Sequence, residues 1–117
     1  MSILGNSVQL IGHLGKDVEI KTFNTGSKKA SFTLATTEVY KNPKGELVKN
    51  TQWHNIIAWG NTAEAMQKNL TKGSKVAILG TISYRVYEDK AGVKKSITEI
   101  NTNEFYKIVS TESVNQN

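Results

Sequence analysis

Apolar and polar residues alternate with a period of two over most of this sequence, a pattern typical of half-buried β-strands. In the first such segment Val8, Leu10 and Leu14 occupy alternate positions, and Gly12 completes the series. A glycine inside a strand usually marks a bend, a bulge or the close approach of another backbone, so we expect one of these at Gly12.

The same alternation predicts five long strands and one short extended piece. The short piece is Val18–Phe23, which leads into a turn at residues 24–27. The long strands are Val8–Leu14, Ala30–Val39, Thr51–Trp59, Lys75–Tyr87 and Lys94–Ile108. Tyr40–Asn50 contains the only proline and three lysines and is predicted to be a long hairpin arm, with a second hairpin loop at Glu88–Val93.

One short helix is predicted after the third long strand. Asn61, followed three positions later by Glu64, has the form of an N-cap with a capping box. Gly73 is expected to stop the helix. The residues that share one helical face are Ala63, Met66 and Leu70.

Five strands with a single helix between the third and fourth is the element order of the OB-fold. We therefore predict an all-β protein, a five-stranded OB-fold barrel occupying residues 1–108. The remaining residues, 109–117, form a polar tail that we expect to be disordered. Because OB-folds bind oligonucleotides, oligosaccharides and proteins, the fold alone does not establish the function.

Composition narrows the possibilities. The chain has 117 residues, enough for one domain, and no apolar run approaches the roughly 20 residues of a membrane span. It contains no cysteine, so disulfides and thiolate chemistry are absent, and it begins without the features of a signal peptide. We expect a cytoplasmic, nucleoid-associated protein without membrane contact. Its net charge of +5, carried by lysines apart from Arg85, suits phosphate binding but supports nucleic acid only weakly by itself.

The third strand adds a stronger signal, because it carries both tryptophans of the chain. Trp53 and Trp59 are an even number of residues apart and so point to one face, with Asn55 and Ile57 between them. Two tryptophans would overfill a small barrel, and we expect this face to point outward, although one tryptophan plugging the barrel stays an alternative. An exposed apolar surface of this kind usually binds a ligand.

Aromatic rings interleaved with lysines bind single-stranded nucleic acids with little sequence preference, since every base has a π-face. Tyr40 and Lys41 open the first arm, and Arg85 and Tyr87 border the second. We expect the two arms and the tryptophan strand to form one continuous binding track.

The sequence resembles bacterial-type single-stranded DNA-binding proteins. Residues 6–17 (NSVQLIGHLGKD) resemble the family's opening N-x-V-x-L-x-G-x-L-G-x-D, and residues 31–36 (SFTLAT) and 51–60 (TQWHNIIAWG) resemble its second and third strands. Residues 70–76 (LTKGSKV) and 78–80 (ILG) resemble the stretch after its helix. Several motifs in order, over roughly residues 3–105, make the resemblance specific.

The resemblance implies an OB-fold homotetramer that binds single-stranded DNA in replication, recombination and repair, without a cofactor, a metal or catalytic residues. The implied stacking residues are Tyr40, Trp53, Trp59 and Tyr87. The implied phosphate-binding residues are Lys41, Lys72 and Arg85, with Lys44 and Lys49 added by their place in the arm. The implied subunit contacts are Gly15 and His54.

The sequence departs from the family pattern at several of these positions. Tyrosine replaces tryptophan at Tyr40 and Tyr87, which reduces the stacking area, and Asn55 and Asn61 stand where a basic residue is common. The sequence ends SVNQN, without the acidic tip that recruits replication and repair enzymes in cellular members. It is either a short member of the family or part of a longer chain, and such recruitment is in doubt.

Two other function classes are open to this composition. A nuclease needs clustered carboxylates for a metal, and only the adjacent pair Glu88 and Asp89 approaches that arrangement. We expect this pair to be solvated charge in a hairpin tip. An OB-fold module for RNA or a protein partner is the second alternative, and the alternating aromatic residues argue against it.

Overall fold

The computed structural model describes residues 5–109, which form six β-strands and one α-helix. The strands are β1 Val8–Leu14, β2 Glu19–Thr22, β3 Lys28–Lys41, β4 Leu47–Trp59, β5 Lys75–Glu88 and β6 Lys94–Lys107, and the helix α1 is Gly60–Asn69. The tail predicted at 109–117 lies, apart from Val109, outside the described residues. Within them no helix is long and apolar enough to cross a membrane.

Five of the strands close into a barrel. The sheet order is β1-β5-β6-β4-β3-β2, and β1 also pairs with β3, through His13 with Ala35 and Leu14 with Leu34, which closes the ring. Neighbouring strands are antiparallel except β4 and β6. The predicted OB-fold barrel is confirmed, and the helix lies between the third and fourth long strands as predicted. The predicted short piece becomes β2, which pairs with β3 outside the ring.

The barrel interior is filled by the apolar residues of alternate strand positions. Phe32 and Leu34 of β3 face Ile56 of β4 and Val76 and Ile78 of β5, and all five are essentially inaccessible to solvent. The predicted apolar face of α1 covers one end of this core, with Ala63, Met66 and Leu70 buried. Period-two alternation therefore identified the core correctly.

The ends of the helix differ from the prediction. The helix begins at Gly60, its N-cap is Trp59, and no side chain caps it. Asn61 therefore lies inside the first turn, where it cannot cap, and Glu64 forms an ion pair with Lys28 (2.9 Å) instead of a capping box. The helix ends with Leu70 as its C-cap, and Gly73 belongs to the following turn (φ 89°). Gly60 has φ 60°, a left-handed backbone conformation that favours glycine.

Gly12 allows the close approach that closes the barrel. A Cβ atom at this position would collide with the backbone carbonyl of Ala35 on β3. Of the bend, bulge or close backbone approach expected at Gly12, the close backbone approach is observed.

Two β-hairpin arms extend the barrel strands. Pairing of β3 with β4 continues to Lys41 and Leu47, so residues 40–50 form a hairpin arm with a tight turn, as predicted. The Asn42 side chain closes that turn by accepting from the backbone amides of Lys44 and Glu46 (3.0 and 2.9 Å). In the second arm Asp89 does the same for Ala91 and Val93.

Candidate nucleic-acid interface

The two tryptophans lie on the outside of the barrel, as the alternation predicted. Trp53 is 60% exposed and Trp59 is 44% exposed, whereas Ile56 and Ala58 of the same strand are buried in the core. Six residues at about 3.3 Å each separate the two tryptophans by roughly 20 Å along β4. Ile57 shares their outward direction but is nearly buried, because β4 is a central strand flanked by β3 and β6.

Gly15 makes room for the Trp53 ring. It follows β1, its amide donates to the Thr33 carbonyl (2.9 Å), and a Cβ atom there would clash with the Trp53 ring and the Thr33 hydroxyl. Gly15 therefore lies directly against the Trp53 ring. The subunit contact implied for Gly15 by the family resemblance stays a prediction.

Cross-strand register places the second arm on the same outer surface. Asn55 of β4 pairs with Glu99 of β6, which pairs with Ser83 of β5, and Arg85 and Tyr87 follow at alternate positions. We call this surface the tryptophan face. It contains a groove of about 240 Å³ that is lined by residues of β3, β4, β5 and β6 and by Lys16. The polar residues lining the groove are Lys16, Lys29, Ser31, Thr33, Asn55, Arg85 and Glu99.

Arg85 is held by a carboxylate within this groove. Its Nε and Nη2 donate to Oε1 and Oε2 of Glu99 (3.2 and 3.0 Å), and Glu99 is only 5% exposed. The hydrogen bond from Arg85 lowers the pKa of Glu99, and the same bond raises the pKa of Arg85. The Arg85 guanidinium also lies 5.9 Å from the centre of the Tyr87 ring. Arg85 thus neutralises a buried acid and lies beside the Tyr87 ring, which the sequence prediction of a free phosphate ligand did not anticipate.

Tyr40 does not share the tryptophan face. It pairs with Val48, and alternation along β3 from Phe32 and Leu34 places it on the inner side of the first arm. Tyr40 is half exposed, and its predicted contact with single-stranded DNA stays a prediction.

The lysines of the first arm are all exposed. Lys41 and Lys49 pair with Leu47 and Val39 on the side of the tryptophan face, and Lys44 lies in the turn. Lys72 is exposed beyond the helix, and its backbone amide donates to the Asp17 carboxylate (2.7 Å) in the loop that follows Gly15. These positions leave the four ammonium groups accessible to phosphates.

His54 lies on the opposite side of β4 from the tryptophans. It is half buried, and its Nε2 is hydrogen-bonded to the Thr36 hydroxyl (2.8 Å). This location agrees with the alternation and keeps His54 away from Trp53 and Trp59. Its implied role in subunit assembly stays a prediction.

Three residues of the tryptophan face were missed by the sequence prediction. Phe23, just after β2, stacks against Trp59 with ring centres 5.8 Å apart and planes at 26°. Lys21 lies 5.2 Å from the Phe23 ring centre, and Lys29 lies 5.6 Å from that of Trp59. The pairing register of β2 with β3 brings these three residues together. Period-two alternation within one strand does not predict the register between two strands.

The carboxylates of residues 5–109 are dispersed over the structure. Among residues 5–109 no group of three potential ligands lies close enough to hold an ion. Asp89 is engaged by the backbone amides of its own turn, which lower its pKa, and by Lys95 (3.3 Å). Its neighbour Glu88 is exposed on the arm, so the pair is structural and solvated charge.

The comparison with protein families is decisive at this point. The model of the Single-strand binding protein family matches residues 5–108, nearly all of the described chain. This chain belongs to the single-strand binding protein family. The match includes the tryptophan face, both arms and the helix.

Individual relatives agree with this family assignment. The chain is 45% identical over 96 residues to single-stranded DNA-binding protein 1 of Chlorobaculum tepidum and 43% identical over 97 residues to the single-stranded DNA-binding protein of Bacteroides thetaiotaomicron. Both alignments cover 81% of this chain but only 59% and 60% of those proteins. The chain therefore spans about three fifths of these family members.

A solved structure supports the fold of this family member. The Plasmodium falciparum SSB in complex with ssDNA superposes with a TM-score of 0.80 at 33% identity, covering 89% of this chain and 95% of that one. The chain therefore shares its overall fold with a protein solved together with single-stranded DNA.

Proposed function

We propose that this protein binds and protects single-stranded DNA without sequence preference and catalyses no reaction. The observation that carries this proposal is the tryptophan face, where exposed indole rings lie among lysines on a rigid strand. Base stacking on such rings contributes roughly 1–3 kcal/mol per base and tolerates any base. Relatives named for single-stranded DNA binding, and a structural neighbour solved with it, support the same conclusion.

In this mechanism stacking and charge act together. Bases stack on Trp53, Trp59 and Tyr87, and the lysines of the arm and loops displace the counterions condensed on the phosphates. The flat outer surface admits unpaired bases, whereas a duplex keeps its base faces stacked internally and offers only phosphates. Single strands are therefore preferred over duplexes at equal length.

A competition experiment tests this function. A labelled oligothymidylate bound to the protein is challenged with unlabelled single-stranded DNA, duplex DNA and RNA of matched length. Single-stranded DNA of any sequence is expected to compete best. Better competition by structured RNA would instead support the RNA-binding alternative. Metal-dependent cleavage of the labelled oligonucleotide, abolished by Asp89→Asn, would support a nuclease.

We also propose that the protein acts as a homotetramer, as the family resemblance implies. A second exposed apolar surface supports this assembly: Ile11 of β1, Ala77 of β5 and Tyr106 of β6 lie in one cross-strand row, with Ile11 59% and Tyr106 66% exposed. We call it the apolar face. It borders a groove of about 470 Å³, and large exposed apolar patches commonly mark protein interfaces.

The physiological setting we propose is the one usual for this family: replication, recombination and repair of DNA in the cytoplasm, in association with the nucleoid. The support is family membership alone. Localisation of a fluorescent fusion to sites of DNA damage or replication is the direct test, and a diffuse distribution unchanged by damage would contradict it.

A further inference from the structure

A cross-strand row at the β2 edge of the tryptophan face combines two cations with an aromatic ring. Lys21 of β2 pairs with Lys29 of β3, and Lys29 pairs with Trp59 of β4, so the three side chains leave the sheet on the same side. Phe23 continues the alternation of β2 and reaches the Trp59 ring. The register of three strands thus assembles a compact group beyond the end of β4.

The two rings form a stacked pair. A separation of 5.8 Å between ring centres lies within the range of direct aromatic contact, so no base fits between Phe23 and Trp59. Trp59 remains 44% exposed and Phe23 is half buried, so the pair keeps an open surface toward solvent. A base stacked there contacts a wider platform than one indole ring provides.

The two lysines point to an anionic ligand. Like charges directly opposite on neighbouring strands repel each other. Within residues 5–109 neither Lys21 nor Lys29 forms an ion pair, although the adjacent Lys28, on the other side of β3, is paired with Glu64. Glu99, the carboxylate that Lys29 influences, is already bound by Arg85. A phosphate between the ammonium groups would relieve this repulsion.

We propose that Lys21, Phe23 and Lys29 form, with Trp59, a nucleotide subsite at the β2 edge. A base stacks on the Phe23–Trp59 pair, and its flanking phosphates lie against the two ammonium groups. This inference rests on the proposed binding of single-stranded DNA and extends the bound strand past Trp59 toward the turn at residues 24–27.

Two variants test the subsite. Phe23→Leu keeps an apolar side chain but removes the π-face, and the affinity for oligothymidylate is expected to fall about tenfold, within the range for loss of one stacked base. Phe23→Trp keeps a π-face at this position and is expected to keep the affinity. Lys21→Gln/Lys29→Gln is expected to reduce the magnitude of the log–log salt slope by roughly 1.4, or about 0.7 for each phosphate that is no longer neutralised.

Matched controls separate the possible results. Tyr84→Ala removes an exposed aromatic ring from the inner side of the second arm, and Lys68→Gln removes an exposed lysine from α1; neither is expected to change affinity or slope. Thermal unfolding and mass in solution of each variant show that it folds and assembles. If the unmodified protein binds but Phe23→Leu keeps its affinity, or the double lysine variant keeps its slope, the subsite is wrong. If the unmodified protein fails to bind, the proposed function itself is wrong.

Discussion

Two surfaces of this barrel expose apolar side chains, and they differ in what surrounds those side chains. On the tryptophan face, Trp53 and Trp59 share their surface with Lys29 and Arg85. On the apolar face, the groove at Ile11 and Tyr106 is lined by no lysine or arginine among the described residues. The charge around the tryptophan face suits a polyanion, and the lack of basic residues among those described around the groove of the apolar face supports the proposed contact with another subunit.

The fold explains how one small domain carries both surfaces. Antiparallel alternation directs every second residue outward on each strand, and barrel closure turns β4 and β1 to different sides of the core. Because a common set of inward residues supports both faces, changes to outward residues on one face are expected to leave the other intact. The two faces can therefore be tested separately.

The largest expected effect comes from removing both indole rings. Trp53→Ala/Trp59→Ala is predicted to weaken binding of oligothymidylate by about 2–6 kcal/mol, because each ring contributes roughly 1–3 kcal/mol of base stacking. Titration with a labelled oligonucleotide measures the loss of affinity. The mass of the assembly in solution is expected to stay the same. Unchanged affinity would show that the tryptophan face is not the DNA surface.

The next effect concerns assembly. Ile11→Glu/Tyr106→Glu places two carboxylates in the centre of the apolar face and is predicted to lower the mass in solution, with the subunit dissociation constant rising at least tenfold, about 1.4 kcal/mol. Sedimentation measures it. Retention of the tetramer would assign this surface to another partner, and Val93→Glu, an exposed apolar position in the second arm turn, is the matched control.

A smaller effect is expected within the groove of the tryptophan face. Glu99→Gln removes the charge that holds Arg85, so the guanidinium becomes available to a phosphate. DNA affinity is predicted to rise, with the magnitude of the salt slope increasing by about 0.7. The free energy of unfolding is predicted to fall by about 1 kcal/mol, because a buried charge-assisted hydrogen bond is weakened. An unchanged slope would mean that Arg85 contacts DNA regardless of Glu99.

The same ion pair predicts a dependence of stability on acid. The folded-state pKa of Glu99 is lowered by Arg85, so its stabilisation is fully present above the unfolded pKa of about 4.3 and is lost as pH falls through the lower folded value. Denaturant unfolding between neutral pH and pH values below that range measures the loss. Glu99→Gln is expected to flatten the curve there, and an unaltered curve would contradict the assignment.

Local alternation was enough to predict the barrel, its core and the outward direction of Trp53 and Trp59, because side-chain parity depends only on the strand itself. Tyr40 shares the parity of Phe32 and Leu34. The sequence analysis did not apply that parity to Tyr40, because it ended the strand at Val39. The predicted helix start was wrong because the local capping pattern at Asn61 is not used: Asn61 lies inside the first turn, and Glu64 pairs with Lys28 of β3.

Side-chain contacts between different strands could not be predicted from the sequence. Arg85 meets Glu99 through the diagonal neighbours of the β5–β6 register, and Phe23 meets Trp59 across three strands. Register is set by the packing of the whole barrel, so neither contact can be read from one segment. Residue type identified the candidates for DNA binding, and strand register determines which of them lie next to one another.

The most direct test of the tryptophan face uses the protein's own fluorescence. With Trp53 and Trp59 as the only tryptophans, the variants Trp53→Phe and Trp59→Phe each leave a single reporter. Titration with oligothymidylate is predicted to quench both reporters at the same protein-to-DNA ratio, with the affinity falling as salt rises. Quenching of neither reporter, at concentrations where a labelled oligonucleotide is bound, would contradict stacking on this face.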